Sequence, residues 1–186
     1  MRQETRSAAD SANVTRNSSK LDRIPLPLRM LVYAVSFLSL VLLAIPWLFY
    51  QIDVRVPAVH GEVGSWRIVG YTLAAVSLTA YLACSYVLTS RGKGPFVEFD
   101  PPKELVVEGP YRWSRNPMVT CLLGAMLGEA IGFSSTGILM MFCIVLILGH
   151  LQVTRIEEPL LRQRYGAAYE DYCRRVPRWL PRPPRD

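Results

Sequence analysis

Residues 28–50 (LRMLVYAVSFLSLVLLAIPWLFY) carry a single charge, Arg29, and no other feature of the chain restricts its fold as severely. A helix rises about 1.5 Å per residue, so this run can cross a hydrocarbon core of about 30 Å. In that medium each backbone N–H and C=O must be satisfied within the protein, which one continuous run achieves only as a helix. Residues 67–88 (RIVGYTLAAVSLTAYLACSYVL) repeat the pattern with a charge only at Arg67. Two further apolar stretches, 117–131 and 137–153, flank the turn-forming Gly132-Phe133-Ser134-Ser135-Thr136-Gly137, and the first of them holds Glu129. They read as a tight helical hairpin that need not reach the far side of the bilayer. With 51% of its 186 residues hydrophobic, the chain is expected to be all-α, a multi-span helical integral membrane protein of about four transmembrane helices.

Basic residues near span ends set the orientation. Arg2, Arg6, Arg16, Lys20 and Arg23 precede the first span, and Arg55 alone follows it. Arg91, Lys93, Lys103, Arg112 and Arg115 follow the second, and the segment after 154 is dense in arginine. The alternation places both termini in the cytoplasm. The net charge of +6 therefore points to anionic lipid headgroups. A nucleic-acid role is not expected, since no motif for one is present. Residues 1–27 are polar and lack the apolar core of a signal peptide, so they read as a disordered tail before an uncleaved anchor. Residues 28–88 form two spans, and 89–186 the remaining region. Cys84, Cys121, Cys143 and Cys173 show no CxxC or metal spacing and read as free thiols, with no metal site expected.

The loop 89–116 is too polar for lipid and too rich in turn residues for one helix. Gly92-Lys93-Gly94 lacks the spacing of a phosphate-binding loop. Asp100-Pro101-Pro102 enforces extended backbone, and Leu105-Val106-Val107 is apolar enough to wall a pocket at the membrane face. Asn116-Pro117 is a helix start, with asparagine able to cap and proline suited to the first turn. Beside it, Arg112 and Arg115 either snorkel to headgroups or complete an anion site with the helix N-terminus. Across the hairpin, His150, Thr154 and Glu157 recur at helical spacing and predict one polar stripe. Glu157 and Glu158 cannot share a face, so one carboxylate can enter a pocket while the other meets an arginine or water.

The order Tyr111-Arg112, Arg115-Asn116-Pro117-Met118, apolar hairpin, Glu157-Glu158, Tyr165-Gly166, Tyr169, Val176-Pro177-Arg178-Trp179-Leu180-Pro181 resembles the isoprenylcysteine carboxyl methyltransferase family. Its bacterial members and the related membrane phospholipid methyltransferases are included. The resemblance covers roughly residues 90–181. It implies an S-adenosylmethionine-dependent membrane methyltransferase whose cofactor pocket, on the cytoplasmic side, is made by the C-terminal half. By that resemblance Lys103, Glu104, Leu105 and Val106 line the nucleotide. Tyr111 with Asn116, Pro117, Met118 and Val119 forms a second wall, and Glu157 contacts the cofactor, with Arg112, Arg115 and Glu158 in the same motifs.

Two departures bear on this. Asn116 stands where eukaryotic members carry histidine, which removes a titratable group, and Val119 stands where an aromatic residue is common. The roles expected are Glu157 as cofactor anchor, Tyr111 against the adenosine, and Arg112 and Arg115 as partners of the cofactor carboxylate or an anionic acceptor. His150 either deprotonates the acceptor or holds helices together, and Glu129 has the same two readings. The tail from Leu160 to Pro184 reads as an interfacial segment covering the pocket. The acceptor is a lipophilic molecule reached from the bilayer: a prenylated-cysteine carboxylate, a lipid amine or a thiol. The alternatives are a non-catalytic membrane scaffold or a nicotinamide-dependent membrane reductase. Compact size points to a bacterial inner membrane, and oligomeric state is left open.

Overall fold

The computed structural model describes residues 25–55, 64–92 and 104–183. The readings made for the N-terminal tail, for Lys93-Gly94, for Asp100-Pro101-Pro102 and for Lys103 lie outside the described residues. All regular structure within them is helical. Helix α1 (Leu26–Ser39) passes through a π-helical turn, Leu40–Ala44, into α2 (Ile45–Arg55), and α3 spans Trp66–Gly92. After a 3-10 turn at Gly109–Arg112 come α4 (Pro117–Gly132) and α5 (Thr136–Gln152). A second π turn, Val153–Glu157, leads into α6 (Glu158–Tyr165), followed by α7 (Ala167–Arg175).

Three stretches, Leu31–Arg55, Trp66–Gly92 and Thr136–Tyr165, are long and apolar enough to cross a membrane. The fourth apolar helix, α4, has 16 residues and spans roughly 24 Å, short of a full crossing. Large apolar side chains such as Leu43, Trp47, Ile68, Val76, Tyr86, Ile147 and Leu148 are exposed on these helices. Such surfaces are tolerable against lipid and not against water.

Both π turns precede a proline. Pro46 and Pro159 have no N–H, and a proline ring in an α-helix collides with the carbonyl four residues back. The helix widens ahead of each one: Ile45 N–H donates to Leu40 O, and Glu158 N–H donates to Val153 O, five residues back instead of four. A π turn holds about one residue more than an α turn, so whatever follows is rotated by about 100° relative to an unbroken α-helix.

Close backbone contact joins α3 to α4. A Cβ on Gly128 would sit 2.5 Å from Ala74 N and 2.7 Å from Gly70 O, and one on Gly124 would sit 2.6 Å from Ser77 Oγ. Lipid supplies no hydrophobic drive between helices, so packing of small residues of this kind holds them together. On the other side of α4, Met126 and Ala130 join Ile138 and Met141 of α5 in a core closed by Val41, Ile45 and Phe49.

The end of the bundle away from the tail is fastened by polar groups. Asp53, buried at the end of α2, accepts from Gly137 N–H (3.0 Å) and from the Ser135 hydroxyl, while Ser135 Oγ itself accepts from Ile138 N–H (2.9 Å). The first turn of α5 is thereby capped twice over. Arg67 Nε donates to Gly132 O (3.1 Å) at the end of α4. The other end carries the 104–116 loop, α6, α7 and the tail, and the site forms there.

Candidate functional site

A cavity of about 640 Å³ lies between α1, α3, α4 and α5 and is roofed by the loop and the tail. Its upper walls come from Glu104, Leu105, Val106, Tyr111, Arg115, Asn116, Pro117, Met118 and Val119 on one side. Glu157, Leu161, Tyr165, Tyr169 and Tyr172 line the other. Deeper in the bundle the lining is aliphatic and aromatic: Phe37, Val41, Ile45, Met126, Met141, Val145 and Leu148. The space is therefore divided chemically, with carboxylates and phenols at the loop end and hydrocarbon toward the bilayer centre.

The loop side is held by short-range geometry. The 3-10 turn buries Tyr111, whose carbonyl accepts from Tyr172 Oη (2.7 Å), tying loop to α7. Gly166 breaks α6 from α7 at φ 53° and ψ −128°, a conformation open to glycine. That break turns Tyr169 and Tyr172 inward, where they pack with Val176, Leu105 and Leu161. Burial pushes the phenols of Tyr111, Tyr169 and Tyr172 above their usual range, so all three stay protonated at neutral pH.

Glu158 does not line the cavity. Its side chain is 3% exposed and sits among three guanidiniums. Arg178 donates through Nε to Oε1 (2.6 Å) and through Nη2 to Oε2 (3.0 Å), Arg115 donates through Nη1 to Oε1 (3.0 Å), and Arg162 approaches Oε2 at 3.7 Å. A carboxylate so far from water is tolerable only when paired and hydrogen-bonded in this way. The residue before it, Glu157, faces the cavity. Arg115 Nη1 also donates to Cys173 Sγ (2.8 Å), while its Nε is buried without a partner among the described residues.

Two sequence expectations are corrected. Asn116 precedes α4, yet its side chain does not cap it: Nδ2 donates to Arg178 O (3.1 Å), and the tail takes the amide in place of the helix. His150, Thr154 and Glu157 do not form one stripe. His150 is exposed and its ring lies 5.9 Å from that of Trp179, whereas Glu157 lines the cavity, because the π turn at Val153–Glu157 rotates the helix between them.

Of the expected site residues, Glu104, Leu105, Val106, Tyr111, Arg115, Asn116, Pro117, Met118, Val119 and Glu157 come together around the cavity. Arg112 is exposed and stands apart from it, as does His150. Glu129 lies in α4 outside the lining, and its Oε2 is buried without a partner among the described residues. Sequence reasoning gave no site role to Tyr81, to Phe37 of α1, Val41 of the first π turn or Ile45 of α2, or to Arg178. Two signals were available: Pro46 inside an apolar run, which marks a reshaped turn, and the need of any carboxylate near a membrane for a cation.

These features define an integral membrane protein of helices whose cavity joins a polar, tyrosine-rich mouth to an apolar interior. The family model for phospholipid methyltransferases matches residues 66–168, more than half of the chain, and the chain belongs to that family. It is a membrane methyltransferase of the phospholipid and isoprenylcysteine type. The curated proteins and the solved structures hold no match to it.

Proposed function

We propose that this protein transfers a methyl group from S-adenosylmethionine to the amine of a membrane lipid. The observation that carries the reading is the makeup of the polar end of the cavity. Glu104, Glu157 and five tyrosines, Tyr81, Tyr111, Tyr165, Tyr169 and Tyr172, face one space, and Arg115 is the single basic side chain among the described lining residues.

The residues present suit the cofactor. Arg115 has a buried Nε with no partner, and Tyr111 has a buried hydroxyl with none, both among the described residues. A buried donor left unmade costs about 1–3 kcal/mol, which a bound ligand would recover. Arg115 is placed to hold a carboxylate, Glu157 an ammonium or a ribose diol, and the tyrosine rings the face of a cation. When bound, S-adenosylmethionine supplies an electrophilic methyl group on a sulfonium.

The chain's own part is positioning and exclusion of water. Tyrosine faces attract a cation by about 0.5–2 kcal/mol each while solvating it less than water does. Aliphatic walls keep competing water from the methyl group. The neutral phenols can orient the acceptor but do not remove its proton, so the amine reacts in its neutral form. A carboxylate acceptor would need a cation of its own, and Arg115 is already shared with Glu158. That balance favours an amine over the prenylcysteine carboxylate. The Phe37, Val41, Ile45, Met141, Val145 and Leu148 end of the cavity suits the acyl chain. The arginines of α6, α7 and the tail favour the cytoplasmic leaflet, with both termini on that side.

Calorimetry of S-adenosylhomocysteine binding to the detergent-purified chain tests the cofactor, with Glu157→Gln as control. Transfer of labelled methyl to phosphatidylethanolamine vesicles, compared with a farnesylated cysteine, tests the acceptor. Saturable binding with labelling of the amine supports the reading; labelling of the farnesylated cysteine alone overturns the choice of acceptor. No binding by a folded sample removes the cofactor.

A further inference from the structure

Arg178 lies beyond residue 168, where the family match ends, yet two separate stretches of chain, the start of α6 and the loop before α4, meet on it. Its guanidinium forks onto both oxygens of Glu158, at 2.6 Å and 3.0 Å. Its carbonyl accepts from Ser114 Oγ (3.2 Å) and Asn116 Nδ2 (3.1 Å). Backbone bonds on either side extend the grip: Arg115 N–H donates to Pro177 O (2.9 Å), and Arg182 N–H donates to Trp113 O (3.0 Å). The tail thus lies strapped along residues 113–116.

Charge balance alone does not require this arrangement, since Arg115 and Arg162 already face Glu158. What Arg178 adds is direction. A bidentate guanidinium fixes the plane of a carboxylate as a single point contact does not. Glu158 begins α6 at the end of a π turn, where the ordinary four-residue ladder is interrupted and the rotation of the helix needs an outside reference. The residue whose direction this sets is Glu157, which lines the cavity. At its other end the same residue holds Asn116, next to Pro117 and Met118 of the opposite wall.

We propose that Arg178 is a positioning residue for cofactor binding: from outside the cavity, its guanidinium fixes Glu158 and so the direction of Glu157, while its backbone carbonyl, which side-chain substitution leaves in place, anchors Asn116 on the opposite wall. The inference rests on the reading that the cavity takes S-adenosylmethionine.

The test uses the full chain in detergent with S-adenosylhomocysteine as probe, comparing wild type, Arg178→Gln, Arg178→Lys, Glu157→Gln and the Glu157→Gln/Arg178→Gln double variant by calorimetry and thermal melting. The Arg178 side chain is about one-third exposed (35%), so both substitutions should leave a folded chain, and Arg178→Lys carries the test if Arg178→Gln does not fold. Either variant is expected to weaken binding about tenfold, because lysine keeps the charge but loses the fork. In the Glu157→Gln background the Arg178→Gln effect should largely vanish, since the group being positioned is gone. Wild-type affinity in both Arg178 variants, or an undiminished Arg178→Gln effect without Glu157, overturns the positioning role while leaving the cofactor reading intact. Failure of the wild-type chain to bind overturns both.

Discussion

Glu157 lines the cavity while Glu158, its neighbour in sequence, is buried against Arg115, Arg162 and Arg178. The two carboxylates are separated by one helical step of about 100°, and that step divides a ligand-facing group from a structural one. Glu157→Gln is expected to weaken S-adenosylhomocysteine binding by about 1–3 kcal/mol with little change in melting temperature. Glu158→Gln leaves clustered guanidiniums without their counter-charge and should cost about 3–5 kcal/mol of stability. Calorimetry and thermal melts in one detergent measure both, and equal losses of melting temperature would contradict the division.

Pro159 is the reason the helix widens at Val153–Glu157. Pro159→Ala restores an N–H donor and removes the clash with the carbonyl four residues back, allowing the α-helix to continue through the turn. The expected outcome is cofactor affinity reduced about tenfold, because Glu157 rotates away from the cavity, together with a lower melting temperature, because Glu158 turns with it out of its arginine cluster. Retention of wild-type affinity would show that the π turn does not aim Glu157.

Gly128 has no room for a side chain: a Cβ there would lie 2.5 Å from Ala74 N and 2.7 Å from Gly70 O, both backbone atoms. Gly128→Ala must push α4 away from α3, at a cost of about 1–3 kcal/mol or more. A melting temperature equal to wild type in detergent would rule out this contact as the seam between the two helices.

Tyr111 carries a buried hydroxyl with no partner among the described residues. Removing a donor that has no acceptor gives up nothing in the ligand-free protein, so Tyr111→Phe should melt at or above the wild-type temperature. Binding of S-adenosylhomocysteine should weaken if the hydroxyl serves the ligand. A lower melting temperature without ligand would reveal a hydrogen bond that the described structure does not contain.

Much of the helical framework was legible in the chain because its signals are local. The runs 28–50, 67–88 and 117–131 fall within helices, and the apolar run from 137 continues from α5 into the second π turn. Phe133–Ser135, inside the predicted Gly132–Gly137 stretch, makes the turn between α4 and α5, and Asn116-Pro117 marks the start of α4. Hydropathy, length and proline geometry act over a few residues and need no knowledge of the fold. Rotation was not legible in the same way. His150 and Glu157 share a face in an ideal α-helix, but the widened turn before Pro159 separates them, and spacing carries no trace of that turn unless proline's missing donor is followed back along the ladder.

Partner choice was less legible still. The sequence by itself determined that this chain lies in a membrane as helices and that most of its charged residues fall outside its most apolar runs. Which arginine meets Glu158, and which wall Asn116 supports, was decided only when residues 115, 158 and 178 came together in space. The physical reason is the difference in range: burial of a helix in lipid depends on its own residues, whereas a buried charge is stabilised by whichever opposite charge the fold brings within hydrogen-bond reach.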